Sequence, residues 1–260
     1  MKIAIIGNGI SGSSAKRIAK EYGHEPTIIS TNLQIASKSA LATIRPTWFT
    51  KAQKVSIDRS WAWYKHWNAT ITKIGTVSNW KDPTKTKEQE DWWLVNPLSV
   101  LEEPDIVGIV PYMDMLRNNY DAVLDASGVS LSAELDFFYG ATLVSKKAKA
   151  DFMPLRIHHI RPYHSVHIVE SDGMIRLGSS ISKNKEKCVN EIYKMKELCE
   201  DLKLVSKVND WELLMGIRTQ GKNKEIIEPE LGNPYTKIGG LHRTGYALAP
   251  DLVGQWINSL

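Results

Sequence analysis

Residues 1–30 read MKIAIIGNGISGSSAKRIAKEYGHEPTIIS, and this stretch decides the fold. Lys2–Ile6 is apolar and β-branched, as a strand buried on both faces must be. Gly7-Asn8-Gly9-Ile10-Ser11-Gly12 follows at once, and Ile10, Ala15, Ile18 and Ala19 then form an apolar helical stripe. PTIIS, residues 26–30, supplies a second strand. In such a βαβ unit the glycines let the backbone approach a pyrophosphate, and the helix N-terminus offers it unpaired N–H groups. Gly7, Gly9, Ile10, Ser11 and Gly12 are therefore read as a dinucleotide-binding loop, with a glycine-rich structural turn as the alternative. The acidic residue that normally closes the second strand and binds the ribose hydroxyls is missing. Ser30, Thr31 and Asn32 hold its place, and their hydroxyl and amide groups can still hydrogen-bond a ribose.

Working outward, the chain has 260 residues, 42% hydrophobic and 24% charged, an ordinary globular composition for one large domain or two interleaved small ones. No apolar run reaches the roughly 18 residues of a membrane span, and the N-terminus leads straight into a strand, so a soluble cytoplasmic protein is expected. The formal charge of +4 points to anionic partners. The two cysteines, Cys188 and Cys199, fall on an expected helix over 184–205. Eleven residues put them on one face about 16 Å apart, too far for a disulfide, so they read as small half-buried hydrophobes.

Residues 47–105 differ in texture. Seven of the nine tryptophans lie here, Trp48, Trp61, Trp63, Trp67, Trp80, Trp92 and Trp93, with lysines interleaved. They suit either the packing of a small lobe or a stacking platform for bases. SIDRSWAWYKHWNATITKIG (56–75) is expected to be a helix running into a turn, and DPTKTKEQED (82–91) a solvated loop. Residues 109–130 return to α/β pattern, with a short helix and a buried strand DAVLDASG ending at Gly128. From 141 the chain is β-rich, through FMPLRIHHIRP, HSVHIVE and MIRLGSS. The 184–205 helix carries Val189, Ile192, Met195, Leu198 and Leu202 on one side, and the last segment holds a strand, a glycine-rich turn and a final helix. His158, His159, His164 and His167 make no metal site, because strand alternation sends neighbours to opposite faces and no carboxylate or cysteine completes a set.

Six pieces then stand in a telling order: IIGNGISGSSAKRIA (5–19), ASKSALATIRP (36–46), VPYMDMLRNNYDAVLDASG (110–128), SDGMIRLGSS (171–180), MGIRTQG (215–221) and GLHRTGYALAPDL (240–252). In that order they resemble the glycine oxidase and D-amino-acid oxidase family of flavoproteins. The resemblance implies an α/β fold: a Rossmann-like FAD-binding domain with an interleaved smaller α+β substrate domain built on an antiparallel sheet. Residues 1–46, 106–140 and 212–260 would form the first, and 47–105 with 141–211 the second. It implies FAD as cofactor, held by the glycine loop, by Ser30 to Asn32, and by Ser37, Lys38, Ser39, Ala42, Thr43, Ser127, Gly128, Arg218, His242, Arg243, Thr244, Gly245, Tyr246, Ala247 and Leu248. The chain departs from the family in three places. Arg117-Asn118-Asn119 leads almost directly into the next strand, Thr219 stands where a proline follows the family arginine, and Ala40, Leu41 and Ala42 replace glycines.

The function implied is FAD-dependent oxidation of the C–N bond of an amine or amino acid by hydride transfer to flavin N5, which needs no side-chain base. GYALAPDL offers a helix N-terminus for the negative charge that gathers on such a flavin, with Gly245 permitting close approach and Pro250 near the first turn. Arg218 is the candidate to grip a substrate carboxylate with its bidentate fork, its alternative being a surface or interdomain salt bridge. Arg45 and Tyr246 complete the candidate catalytic set, and Arg45 reads equally well as a structural arginine. The substrate is either a small amine or amino acid or a glycine-like adduct on a nucleic-acid base, to which the tryptophan-rich lobe and SKKAKAD (145–151) would lend cationic surface. A reading of another class is a flavin-binding module or subunit of a larger oxidoreductase that performs no amine chemistry.

Overall fold

The computed structural model describes residues 1–30, 35–46, 49–69, 71–73, 76–79, 82–88, 92–108, 113–128, 135–150, 155–161, 164–171 and 173–260. β1 (Lys2–Ile6), α1 (Ile10–Glu21) and β2 (Glu25–Ser30) form the expected opening unit. β1 sits at the centre of a five-stranded parallel sheet ordered β15 (Tyr235–Lys237), β9 (Ala122–Asp125), β1, β2, β8 (Ile106–Val107). Its alternating side chains feed two cores. Ile3 and Ile5 join the main cluster with Ile18 of α1, while Ala4 and Ile6 pack with Leu116 and Val123 on the other face. This double burial explains the unbroken apolar run.

The final helix α6 (Gly245–Asn258) packs against α1 and against α2 (Lys51–His66). α2 opens on a capping box, in which the Thr50 hydroxyl accepts from the Gln53 backbone N–H and the Gln53 side chain accepts from that of Thr50. Pro250 lies inside α6 rather than near its first turn, because the helix already begins at Gly245. Proline has no N–H for the carbonyl four residues back, that of Tyr246. The Tyr64 hydroxyl of α2 fills the gap, donating to that oxygen at 2.6 Å.

A second sheet has seven strands in the order β14 (Glu212–Gly221), β10 (Leu135–Ser145), β13 (Met174–Ser182), β12 (His164–Ser171), β11 (Leu155–Arg161), β5 (Thr76–Asn79), β6 (Asp82–Glu88). All pairs are antiparallel except β11 with β5. α5 (Lys185–Asp201) covers one face through Cys188, Ile192, Met195 and Cys199. β3 (Thr43–Ile44), β7 (Trp93–Val95) and β4 (Ile71–Lys73) make a small third sheet. The short helices α3 (Pro97–Val100) and α4 (Met113–Asn119) complete the chain, which is thus mixed α/β, with a parallel sheet and a separate antiparallel one.

Four local expectations are corrected. DPTKTKEQED is a strand over 82–88 rather than a solvated loop; it lies at the sheet edge, where a proline and lysines are tolerated and discourage further pairing. The helix expected over 184–205 stops at Asp201, where Lys203 turns left-handed (φ 57°) and the Leu204 N–H folds back to the Cys199 carbonyl at 2.8 Å. Leu202, placed on its apolar side, is therefore exposed, and the two cysteines occupy the core stripe. β9 ends at Asp125, since Gly128 has a φ of 65° that no strand continues. β10 begins at Leu135, ahead of the expected β-rich start at 141.

Candidate functional site

The glycine loop closes one side of a cavity of about 190 Å³ lying between the C-terminal ends of β1 and β9 and the edge strand β14. Each glycine has its own reason. Gly7 has a φ of 96°, and a Cβ there would lie 2.8 Å from the Ala126 carbonyl oxygen. At Gly12 a Cβ would come within 1.8 Å of the Gly7 carbonyl oxygen, so this residue sets the closeness of α1 to the loop. At Gly9 the nearest atom would be the Ser37 Oγ at 3.3 Å. Ser37 Oγ in turn accepts from the Ile10 N–H at 2.9 Å.

Two helix N-termini converge here. Gly245, which opens α6, approaches Ile10 of α1 so closely that a Cβ would lie 3.1 Å from its Cγ2. Neither helix has an acidic residue in its first turn or a side-chain cap at its N-cap. Their positive ends thus face the cavity with no carboxylate to offset them, the arrangement that favours an anion.

Arg218 enters from β14, opposite Phe138 of β10. Its guanidinium lies over Gly140, where a Cβ would be 2.7 Å from Nε. It is 8% exposed, and among the described residues no carboxylate oxygen lies within 4 Å of it. Burial and then the charge of Arg243 pull its pKa down to about 10. Next to Arg218, the Thr219 carbonyl accepts from the His242 N–H at 2.9 Å, and the His242 ring meets the Phe138 ring edge-on with centroids 5.5 Å apart.

Of the residues named from sequence, Gly7, Gly9, Ile10, Ser11, Ser30, Ser37, Ser127, Gly128, Arg218, His242 and Gly245 line this cavity. Ser30 does so with its hydroxyl donated to Asn8 Oδ1 at 3.0 Å. Thr31 and Asn32 fall outside the described residues. Lys38 points outward toward Glu103 at 3.5 Å, and Ser39 is buried where Gly216 presses on the 36–39 segment. Ala42 is in the core, Thr43 pairs with Leu94 in the third sheet, the Thr244 hydroxyl donates to the Leu241 carbonyl, and Ala247 and Leu248 are core residues of α6. Arg243 is exposed beside the cavity rather than on its lining.

Two candidate catalytic residues do other work. The Arg45 guanidinium, 4% exposed, stacks 4.7 Å over the Trp92 ring and contacts His167 Nδ1 at 3.1 Å. Burial and Arg243 lower its pKa to about 10. Tyr246 donates its hydroxyl to the Ser37 carbonyl at 2.9 Å, tying α6 to the 36–39 segment, and burial raises its pKa so that the phenol stays protonated. Asn8, Ile217, Thr219 and the Ile238–Leu241 stretch also line the cavity and were not named from sequence. Asn8 carried a signal, since it lies inside the glycine loop; the others are placed by strand register that no local motif encodes.

Of the tryptophans described in the lobe, Trp61, Trp63, Trp67 and Trp93 pack in pairs, and Trp92 packs with Leu41, Leu94 and Val169. Trp61 lies 4.0 Å from Trp93 between centroids, Trp63 lies 5.7 Å from Trp67, and Arg17 of α1 sits 5.6 Å over Trp67. Trp48 and Trp80, like the side chains of His158, His159 and His164, are outside the described set. Lys146, Lys147 and Lys149 are exposed.

The same fold is found in solved structures. Glycine oxidase from Geobacillus kaustophilus aligns at 12% identity with a TM-score of 0.68, covering 98% of this chain and 93% of that one. Glycine oxidase from Bacillus cereus aligns at 14% and 0.67, covering 99% and 94%. This chain has the glycine oxidase fold. Iminodiacetate oxidase from a Chelativorans species aligns at 12% identity and 0.66, again covering 99% and 94%. No family model and no curated protein sequence matches the chain. Identities this low establish the fold, and the chemistry must be argued from the site.

Proposed function

We propose that the chain is a flavin-dependent oxidoreductase acting on an amine or amino acid that bears a carboxylate, with FAD as its cofactor. The observation that carries this reading is Arg218: a buried guanidinium with no carboxylate partner among the described residues, in a cavity shared with a glycine loop and two helix N-termini. A buried cation without a counter-ion is costly, and an incoming carboxylate relieves that cost through a bidentate pair.

The residues fit the cofactor. Gly7 and Gly12 hold the tight turn and the close helix that a pyrophosphate cradle requires, Gly9 leaves backbone accessible, and no acidic side chain repels phosphate from the first turn of α1. Ser30 departs from the usual acid, its hydroxyl being engaged by Asn8. When bound, FAD would supply the acceptor for a hydride leaving a carbon next to nitrogen.

What the chain itself supplies is position and field. Arg218 orients the substrate by its carboxylate, Gly140 leaves room for the guanidinium to lie flat, and the first amides of α1 and α6 favour negative charge beside it. Arg218 and His242 are the two titratable side chains among the lining residues, so the site suits a reaction whose main demand is alignment. In this reading the parallel-sheet layer carries the cofactor and the antiparallel sheet covers the substrate.

The test is reconstitution with FAD followed by anaerobic addition of glycine, N-methylglycine and other carboxylated amines. Bleaching of the flavin that saturates with amine, and that needs far more amine in Arg218→Met, is expected. Failure to retain flavin, or retention without bleaching by any carboxylated amine, would sink the proposal and leave a flavin-binding or purely structural module.

A further inference from the structure

Resting on the assignment of Arg218 to a substrate carboxylate, we propose that the substrate carries a second acidic group, received by Arg243, so that the site selects amines with two acid groups. Arg243 sits in the 241–244 turn, closed by the Thr244 N–H donating to the Leu241 carbonyl at 2.6 Å. Its neighbours Leu241, His242 and Gly245 line the cavity, and the His242 N–H holds the turn against Thr219, the residue after Arg218. Arg243 is itself exposed, on a turn whose neighbouring residues line the space that Arg218 faces.

The inner face of the antiparallel sheet extends this cationic surface. Directly paired residues of neighbouring strands share a face, so Phe138, Gly140 and Thr142 of β10 lie with Arg218 of β14, Gly178 of β13 and His167 of β12. At the far end of that face Arg45 contacts His167. Arg243 lies close enough to both Arg218 and Arg45 to lower the proton affinity of each. Arg218 lines the cavity, Arg243 lies on the turn beside it and Arg45 at the far end of the sheet face. Arg45 is engaged by His167 and Trp92, which leaves Arg243 as the group beside the cavity to meet a ligand.

No described carboxylate oxygen comes within 4 Å of Arg218 or Arg243. Across the Gly140 floor lies the Cys188 thiol, but burial raises its pKa, so it brings no negative charge at neutral pH. A ligand with one carboxylate would offset Arg218 and leave the Arg243 charge uncompensated beside it. A second acid group on the ligand answers the second arginine.

The inference is tested by binding of non-oxidisable ligands to the FAD-reconstituted protein, measured by calorimetry. Methoxyacetate carries one carboxylate and oxydiacetate two, with similar chain chemistry and no amine. Oxydiacetate is expected to bind roughly 10- to 100-fold more tightly, the usual effect of one charged hydrogen-bonded contact, and Arg243→Gln is expected to remove that preference while leaving methoxyacetate affinity within about twofold. Equal affinity for methoxyacetate and oxydiacetate, with methoxyacetate binding abolished in Arg218→Gln, would overturn the second-acid inference and leave the Arg218 assignment standing. Binding of neither ligand would overturn both. Loss of FAD from Arg243→Gln with the ligand preference intact would assign Arg243 to the cofactor instead, which also overturns it.

Discussion

Tyr64→Phe isolates one hydrogen bond on which the position of α6 depends. Pro250 leaves the Tyr246 carbonyl without its helical donor, and the Tyr64 hydroxyl reaches it at 2.6 Å from the neighbouring helix. Removing the hydroxyl strands a buried carbonyl at about 1–3 kcal/mol, and at about 2.1 cal/mol/K of unfolding entropy per residue over 260 residues a loss near 2 kcal/mol lowers Tm by about 4 °C. Pro250→Ala restores an N–H to the same carbonyl. The two substitutions should therefore couple: Tyr64→Phe costs about 2 kcal/mol with Pro250 present and less than about 0.5 kcal/mol in Pro250→Ala. Urea unfolding of the four proteins measures the cycle. An equal cost of Tyr64→Phe in both backgrounds would refute the reasoning, since the hydroxyl would then serve something other than the gap left by the proline.

Burial raises the pKa of Tyr64, so the folded state keeps this proton while the unfolded chain releases it near the ordinary phenol value of about 10. Its contribution is complete below pH 10 and lost as pH rises above it, so the stability gap between the wild type and Tyr64→Phe should narrow above pH 10 in pH-dependent urea titrations. Gly12→Ala places a Cβ 1.8 Å from the Gly7 carbonyl oxygen, forces α1 away from the loop, and should cost at least about 1–3 kcal/mol in thermal unfolding. Gly9→Val meets the Ser37 hydroxyl at 3.3 Å and the Ile35 Cγ2 at 3.7 Å, both ends of side chains, so it should keep the fold by circular dichroism yet bind little FAD; full flavin content would refute the loop assignment. Arg218→Met removes a buried charge that has no described carboxylate partner, so Tm of the ligand-free protein should hold or rise while methoxyacetate binding weakens roughly 10- to 100-fold. A fall of several degrees would mark the arginine as structural.

The opening unit was legible because every level of the sequence agrees there. An apolar strand, a glycine turn and a striped helix each require the next, and Ile3, Ile5, Ile10, Ala15 and Ile18 all lie in one core cluster. Arg218 was legible as a candidate, but not its surroundings, since the glycine that makes room for it lies 78 positions earlier and across a strand pairing. β6 was misread because lysines and threonines at a sheet edge carry no apolar alternation. The contacts of Arg45 and Tyr246 were not legible for a shared reason: a motif fixes where the backbone runs, but the direction of a long side chain is decided by its neighbours, here Trp92 with His167 and the Ser37 carbonyl.

The same glycines link the two sheets to the chemistry. Gly216 of β14 presses on the 36–39 segment so tightly that a Cβ would lie 2.6 Å from the Ala36 Cα, and Thr142 of β10 donates its hydroxyl to the Ser39 carbonyl at 2.7 Å. These contacts draw the antiparallel sheet onto the segment that also caps α1 through Ser37 and accepts from Tyr246 of α6. One short loop thus registers Arg218 on the sheet against both helix N-termini. A side chain at Gly216 would open that gap and move the arginine away from the loop, although it touches neither. In the proposed function Gly216 would therefore serve the grip on a substrate carboxylate together with the arginine, because a bidentate contact tolerates little displacement.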